Sequence, residues 1–387
     1  MRIGLVLPAV PAYSETFFVN KIKGLQSHGH EVVLFLNAKT SLATFEDAPI
    51  RTAPSWSKNP IKIIALFLSL LVFHFKAVLK FYQLEQKDQS SFFTIVKRIL
   101  INSHLLSEKL DWLHFGFGTM ALERENIADA IGAKMAVSFR GYDHYVYPLK
   151  NKNCYKKLFS KSVKYHVLSE GMKRSLESNG IFKEKIIKIT PAIDVDLFSQ
   201  NQKTKEGTVL EIVTIARLHW IKGLNATLEA LALLKQKGIA FHYTIIGDGA
   251  EKERLCFAVH QLKLTNEVSF AGKLSPENVK EALKTTDIYL QYSVQEGFCN
   301  AVLEAQAMGK LCIVSDAEGL VENVISNETG FVVPKNNPVL LANKIIEIAQ
   351  ISKNEKDLII EKAITRIKSK FNLPNQIEEF TAFYENY

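Results

Sequence analysis

Cysteine is scarce in this chain of 387 residues: there are four, Cys154, Cys256, Cys299 and Cys312, and no two form a C-x-x-C pair. That excludes a disulfide-stapled scaffold and a thiolate zinc site, and it suits a reducing compartment. Glycine is missing where a dinucleotide would need it. The turn after the first apolar run reads Pro8-Ala9-Val10-Pro11-Ala12-Tyr13-Ser14-Glu15, and Gly247-Asp248-Gly249 lacks the Lys-Ser/Thr of a P-loop. Neither half therefore carries the G-x-G-x-x-G turn on which a pyrophosphate closes. Blocks of five consecutive Lys/Arg are absent, as is any aromatic–basic platform, so nucleic acid is not expected as a partner. Long hydrophobic runs are lacking too. The one serious candidate, Ile63 to Phe75, would make a helix of about 20 Å against a hydrocarbon core of roughly 30 Å. The opening stretch Met1 to Pro8 is stopped by proline with no small-residue cleavage site after it, so it reads as a strand, not a secretory signal.

What is present is an ordinary globular composition, 47% apolar and 23% charged, with 24 Phe and 12 Tyr to fill cores. At roughly 100–200 residues per domain the length favours two or three domains. The net charge of +8 is unevenly spread: residues 1–199 hold 27 Lys/Arg against 17 Asp/Glu, and residues 200–387 hold 21 against 23. A basic first half points to an anionic surface partner for that half alone, a membrane before nucleic acid. Lys62, Lys76 and Lys80 flank the 63–75 run, a pattern shared by an interfacial helix and by a buried domain helix. Lys150, Lys152, Lys156, Lys157, Lys161 and Lys164 add a second basic stretch. At about 1 kcal/mol per lysine near anionic headgroups, the expectation is a cytoplasmic protein held peripherally on the inner face of the membrane.

The second half alternates short apolar runs with helical patterns: runs at 210–215, 241–246, 267–270, 287–291, 311–314 and 330–333, with helices between them. That grammar means a parallel sheet covered on both faces. The first half repeats it with strands at 2–7, 31–36, 111–115, 134–139, 164–168 and 186–190, interrupted by a long helical stretch from about 60 to 110. Pro191, Asp194, Asp196 and the polar run 199–204 break both patterns. The expected fold is α/β: two Rossmann-like domains, 1–198 and 199–370, facing across an interdomain cleft. A terminal helix, 371–387, is expected to pack back toward the first domain.

The chemistry-bearing residues gather at the carboxyl edge expected for the second sheet. Glu296-Gly297-Phe298-Cys299-Asn300 leads from a strand into a helix containing Glu304 and ending at Gly309, with Asn300 as a candidate N-cap. The helix N-terminus is an anion site, and two carboxylates bracketing it suit hydroxyl donors on either side of a phosphate. Arg217 and Lys222, in the loop after the 210–215 strand, offer a planar fork and a point charge for a diphosphate held without a metal. Asp194-Val195-Asp196 superficially matches a metal-binding D-x-D, but it falls in the interdomain segment and is read as linker.

Together these motifs resemble the retaining glycosyltransferases of family four (group 1), which have the GT-B fold, and among them the polysaccharide-assembling members. Similar to the family are the glutamates Glu296 and Glu304, the Arg217…Lys222-Gly223 element, Leu168-Ser169-Glu170 with Met172, Pro191-Ala192-Ile193-Asp194 leading to Phe198, Ile246-Gly247-Asp248-Gly249, and Thr329-Gly330-Phe331. The resemblance implies transfer of a hexose from a nucleoside-diphosphate sugar to a glycan or lipid-linked acceptor, with no cofactor and no metal. It implies that Arg217 and Lys222 neutralise the leaving diphosphate, Glu304 binds ribose, and Glu296 binds the donor sugar. The Gly297, Phe298, Cys299 and Asn300 backbone would line the pocket, with Gly247 near the base. Ser14, Glu15 and Thr16 would face the acceptor, as would Asp143. Where many members carry His-Gly-x-Asp, this chain has Arg140-Gly141-Tyr142-Asp143. Arginine stays cationic and is no base at neutral pH, so Arg140 would stabilise charge or bind a hydroxyl, and His114 is a candidate substitute for the histidine. The alternative is a non-catalytic sugar-nucleotide or glycan-binding protein on the same fold.

Overall fold

The structure, a computed structural model, describes residues 1–11, 15–54, 59–199 and 209–386. The chain divides into two compact units, Met1–Ile189 with Ile377–Tyr387, and Thr190–Gln376. The terminal helix Leu373–Glu385 thus runs from the second unit into the first.

Among the described residues the first unit holds an eight-stranded sheet: β1 (Arg2–Leu7), β2 (Glu31–Leu36), β3 (Thr44–Phe45), β4 (Ala48–Thr52), β5 (Trp112–Phe115), β6 (Lys134–Ser138), β7 (Val163–Val167) and β8 (Ile186–Lys188), in the order β3-β4-β2-β1-β5-β6-β7-β8. Every pairing is parallel except β3 with β4. The strand order reverses between β1 and β5, and helix α1 (Thr16–Ser27) begins beyond the carboxyl end of β1. Among its described residues the second unit holds a six-stranded parallel sheet: β9 (Leu210–Ile215), β10 (Phe241–Ile246), β11 (Val268–Gly272), β12 (Ile288–Gln291), β13 (Leu311–Ser315) and β14 (Phe331–Val333), in the order β11-β10-β9-β12-β13-β14. Its order reverses between β9 and β12. In open α/β sheets ligands bind beyond the carboxyl ends at such switch points.

The long helical stretch of the first half is four pieces. Helix α2 (Pro60–Phe73), started by Pro60 and by the Asn59 side chain accepting from the Ile61 N–H, breaks at His74. Helix α3 (Phe75–Lys87) leaves at 104° to it, and α4 (Phe92–Ile101) and a short turn at Ser103–Leu106 follow. A buried domain helix is not what α2 turns out to be. Leu70 is buried, but Ile61, Ile64, Leu68, Val72 and Phe73 are exposed. The second basic stretch is corrected as well. Lys157 and Lys161 are tied to Glu85 and Asp88 at the end of α3, and Lys164 donates to the carbonyls of Phe383, in the terminal helix, and Asn386, just after it. Only Lys150, Lys152 and Lys156 of that stretch are exposed. No single helix among the described residues is long and apolar enough to cross a membrane.

Candidate functional site

The site of the second unit is assembled by two loops pressed together at the β9/β12 switch point. The loop leaving β9 closes with a turn at Trp220–Lys222 and reaches Gly223 at φ +66°. A Cβ there would run into the Tyr292 carbonyl oxygen, so glycine serves both the left-handed backbone and the close approach to the chain leaving β12. Val294 N–H donates to Ile221 O at 2.8 Å and pins the two loops. The result is that Lys222 Nζ donates to Glu296 Oε2 at 2.5 Å, with each side chain 13% exposed. The Ser293 hydroxyl donates to the same oxygen at 3.1 Å, Gln291 Nε2 donates to Ser293 Oγ at 2.9 Å, and Tyr289 OH donates to Gln291 Oε1 at 2.9 Å. Glu296 is thereby anchored through a polar chain to the buried end of β12. Burial disfavours the Lys222 ammonium, but the adjacent Glu296 carboxylate outweighs it and holds the lysine above its ordinary pKa. Arg217 is exposed and near enough for its charge to oppose that of Lys222. The Gly247-Asp248-Gly249 turn backs this loop: Leu218 N–H donates to Asp248 O at 3.0 Å, and a Cβ on Gly247 (φ +139°) would meet the Ala216 carbonyl.

The segment from Glu296 into the helix Asn300–Ala307 is held from behind by residues that sequence reasoning missed. Gly319 N–H donates to Glu296 O at 3.1 Å, and a Cβ at Gly319 would strike the Gly297 carbonyl. Asn323, fully buried, clamps Cys299 from both sides, accepting its N–H at 3.1 Å and donating to its carbonyl at 3.0 Å. Arg366 in turn donates to the Asn323 and Glu322 carbonyls at 2.7 and 2.6 Å. Asn300 is not the N-cap: the extended residue before the helix is Cys299, and Asn300 is the first helical residue. The Phe298 ring is buried against Phe371 at 5.7 Å, which leaves only its backbone for the site. Burial, with Glu296 adding to it, pushes the Cys299 thiol up to about 12, so it stays a thiol. One helical turn on, the half-buried Glu304 carboxyl has no hydrogen-bond or ion-pair partner among the described residues, and burial pushes it up to about 7. A cavity of about 320 Å³ beside the same loop, lined by His219, Trp220, Asn225, Glu229 and Glu251 among others, does not include Lys222, Glu296 or Glu304 in its wall.

In the first unit the candidate residues separate. Arg140, after β6, donates through Nε to Gly116 O at 3.3 Å, and its guanidinium lies 3.7 Å from the Phe17 ring centroid and 4.7 Å from that of Phe18, at the start of α1. Burial lowers it to about 10, with Asp143 and Glu15 opposing, and it remains a cation at neutral pH. Glu15 and Thr16 open α1 at the β1/β5 switch point, Thr16 exposed; Ser14 lies outside the described residues. Asp143 does not face an acceptor. It is buried, and its oxygens accept the Gly118 and Arg140 N–H groups at 2.5 and 2.8 Å, fixing the two loops that carry Arg140. His114 is no substitute base either. It is wholly buried beneath the terminal helix, bonded to Tyr384 OH at 2.5 Å, Ser138 Oγ at 2.7 Å and Lys21 Nζ at 3.2 Å, and burial drives its pKa well below the usual histidine value. Asp194 accepts the Asp196 and Leu197 N–H groups as a local turn, and among the described residues no three His, Cys, Asp or Glu side chains gather as metal ligands.

Residues 196–365 match the family model of the glycosyl transferases group 1. The putative colanic acid biosynthesis glycosyltransferase WcaL of Escherichia coli is 26% identical over 397 residues, covering 96% of both chains. The amylovoran biosynthesis glycosyltransferase AmsK of Erwinia amylovora is 24% identical over 403 residues, again 96% of each. Among solved structures, Anabaena HepE in complex with UDP and glucose superposes over 100% of both chains with a TM-score of 0.75 at 14% identity. The two parallel-sheet units are those of the GT-B fold.

Proposed function

We propose that the chain is a group 1 glycosyltransferase and that it moves a hexose from a nucleoside-diphosphate sugar to a glycan or lipid-linked acceptor in cell-surface polysaccharide synthesis, with retention at the anomeric carbon and without a metal ion. The observation that carries the reading is the Lys222–Glu296 pair at the β9/β12 switch point, beside Arg217 and the start of the Asn300–Ala307 helix. A diphosphate placed there meets two cations and unpaired helix N–H groups, which stabilise it most as it gains charge on leaving. Glu304, with an uncommitted carboxyl, takes the ribose hydroxyls, and Glu296, held by Ser293, takes those of the donor sugar. Gly247 lies near the base, and the backbone from Gly297 to Asn300 lines the phosphate and sugar.

The bond between the anomeric carbon and the diphosphate oxygen breaks while the acceptor oxygen bonds to the same face of that carbon. The acceptor's proton passes to the departing phosphate, so no side-chain base is required. This fits an Arg140 that stays cationic and a His114 sealed from substrate. Glu15 and Thr16, at the opening of α1, take the acceptor. The names of the WcaL and AmsK relatives support exopolysaccharide assembly, and the UDP and glucose bound by HepE support a sugar nucleotide as donor. The enzyme works in the cytoplasm, attached peripherally to the inner face of the membrane. Lys222→Ala and Glu296→Gln should each lower kcat about 10²–10³-fold, read as free nucleotide and product released from a panel of sugar nucleotides. Unchanged turnover in either variant overturns the site, and a wild-type protein that binds a donor yet releases no nucleotide is a binding module instead.

A further inference from the structure

Helix α2 turns its apolar side outward. Ile61, Ile64, Leu68 and Val72, spaced three and four residues apart, lie on one face, followed by Phe73 and Phe75 at the elbow. Val72 is 72% and Phe73 76% exposed, and the other four are exposed too, whereas the opposite face carries the buried Leu70. Scattered exposed leucines are unremarkable, but a contiguous patch of this kind on a soluble chain marks a contact surface. The charges flanking it along the chain have one sign. From Asn59 to Leu84 the sequence has Lys62, Lys76 and Lys80 and no Asp or Glu. The next acidic residues, Glu85 and Asp88, are engaged by Arg98, Lys157 and Lys161. Helix α3 is part of the protein body, since Val78 and Phe81 are buried and Lys80 pairs with Asp129 at 2.7 Å. The 104° elbow at His74 therefore leaves α2 as the element that projects its apolar face.

We infer that the outward face of α2 lies in the headgroup–acyl boundary of an anionic bilayer, with Ile64, Leu68, Val72 and Phe73 as its anchors and Lys62 and Lys76 against acidic headgroups. This deepens the peripheral-membrane reading above and rests on it. The chemistry selects a lipid surface: hydrocarbon of about 20 Å length, too short to span, flanked along the chain by lysines and by no carboxylate, is the make-up of an interfacial helix. A protein partner with an apolar groove has no need of flanking lysines such as Lys62 and Lys76. The basic stretch near 150–164, half of whose lysines are bound internally, is not the principal contact.

The test is flotation of the full chain with vesicles of phosphatidylcholine alone and with vesicles of phosphatidylcholine and phosphatidylglycerol, whose anionic headgroups attract lysines near the surface. Leu68→Ser/Val72→Ser/Phe73→Ser replaces only exposed side chains, and its unchanged melting temperature is checked first. Wild type floating with the anionic vesicles, less with neutral ones, and the triple variant losing at least tenfold in partitioning supports the inference. Should that triple variant unfold, Phe73→Trp provides a second reading, a blue-shifted emission with anionic vesicles supporting burial at the elbow and no shift opposing it. If the triple variant floats as wild type does, the inference is overturned while peripheral attachment stands, through other lysines. Wild type that stays at the bottom with both vesicles overturns the attachment itself. Equal flotation with neutral vesicles overturns the anionic commitment. A dimer by light scattering that the triple variant abolishes, with no flotation, assigns the face to a second copy of the chain and overturns the lipid assignment.

Discussion

Replacing Glu304 by glutamine should stabilise the protein at pH 8 and change it little at pH 4. The reason lies in where the carboxyl sits. Burial favours its neutral form and moves it from an ordinary 4.5 to about 7 in the folded chain, with no partner to offset the change. Below pH 4.5 both folded and unfolded chains hold the proton, and the native state bears no penalty. Between pH 4.5 and 7 the unfolded chain ionises and the folded one resists, so stability is lost as pH rises; above 7 the loss is complete. At 1.36 kcal/mol per pH unit the ceiling is about 3 kcal/mol. Residual contact of the half-buried side chain with water brings it to roughly 2 kcal/mol. Glutamine keeps the shape and stays neutral. Calorimetry of wild type and Glu304→Gln from pH 4 to 8 should then show melting temperatures that coincide at the acid end and separate by roughly 4–8 °C at pH 8, at 2–4 °C per kcal/mol. The shared pH dependence of all other groups cancels in the difference. A gap that is flat with pH, or a variant less stable at pH 8, refutes the reasoning. A nucleoside diphosphate whose ribose donates to the carboxylate should also expel a proton on binding near pH 6.5, measurable with UDP as calorimetric heats that vary with the buffer's ionisation enthalpy.

Three further outcomes test the scaffold of the site. Asn323→Ala removes both partners of the Cys299 backbone and leaves a buried N–H and carbonyl unsatisfied, so it should destabilise the second unit by about 2–4 kcal/mol and raise the KM for donor, read by calorimetry and initial rates. Gly319→Ala places a methyl against the Gly297 carbonyl and should push the Glu296 loop outward, lowering kcat at least tenfold at a stability loss of roughly 1–3 kcal/mol; an unaffected kcat would show that the loop position is immaterial. His114→Gln should lower the melting temperature through lost bonds to Tyr384 and Ser138, yet leave the shape of the rate–pH profile unchanged, because a wholly buried histidine whose pKa lies well below the usual value carries no charge change between pH 6 and 8.

The regular part of this fold is legible because parallel strands covered on both faces are written as unbroken apolar runs, and helices between them as periodic ones. Tyr243 to Ile246 and Leu311 to Val314 are such runs, and both are strands. The site is legible to the extent that chain order places it: Arg217 and Lys222 follow one strand and Glu296 another, and the switch point does the rest. What sequence does not carry is which residues a side chain meets far along the chain. Nothing local distinguishes Asn323, twenty-four positions from the backbone it clamps, from any asparagine in a short helix. Asp143 and His114 carry the residue types of a catalytic set, yet one is spent on the N–H groups of Gly118 and Arg140 and the other lies under a helix contributed from the far end of the chain. The lysines at 157 and 161 count toward a basic surface until Glu85 and Asp88 are found beside them. Helix α2 is the sharpest case. An apolar helix has the same composition whether it faces a core or a bilayer, so the run from Ile63 to Phe75, which crosses the break at His74 between α2 and α3, leaves the choice open. Only the neighbours decide, and here α3 turns away at His74 and leaves Val72 and Phe73 uncovered.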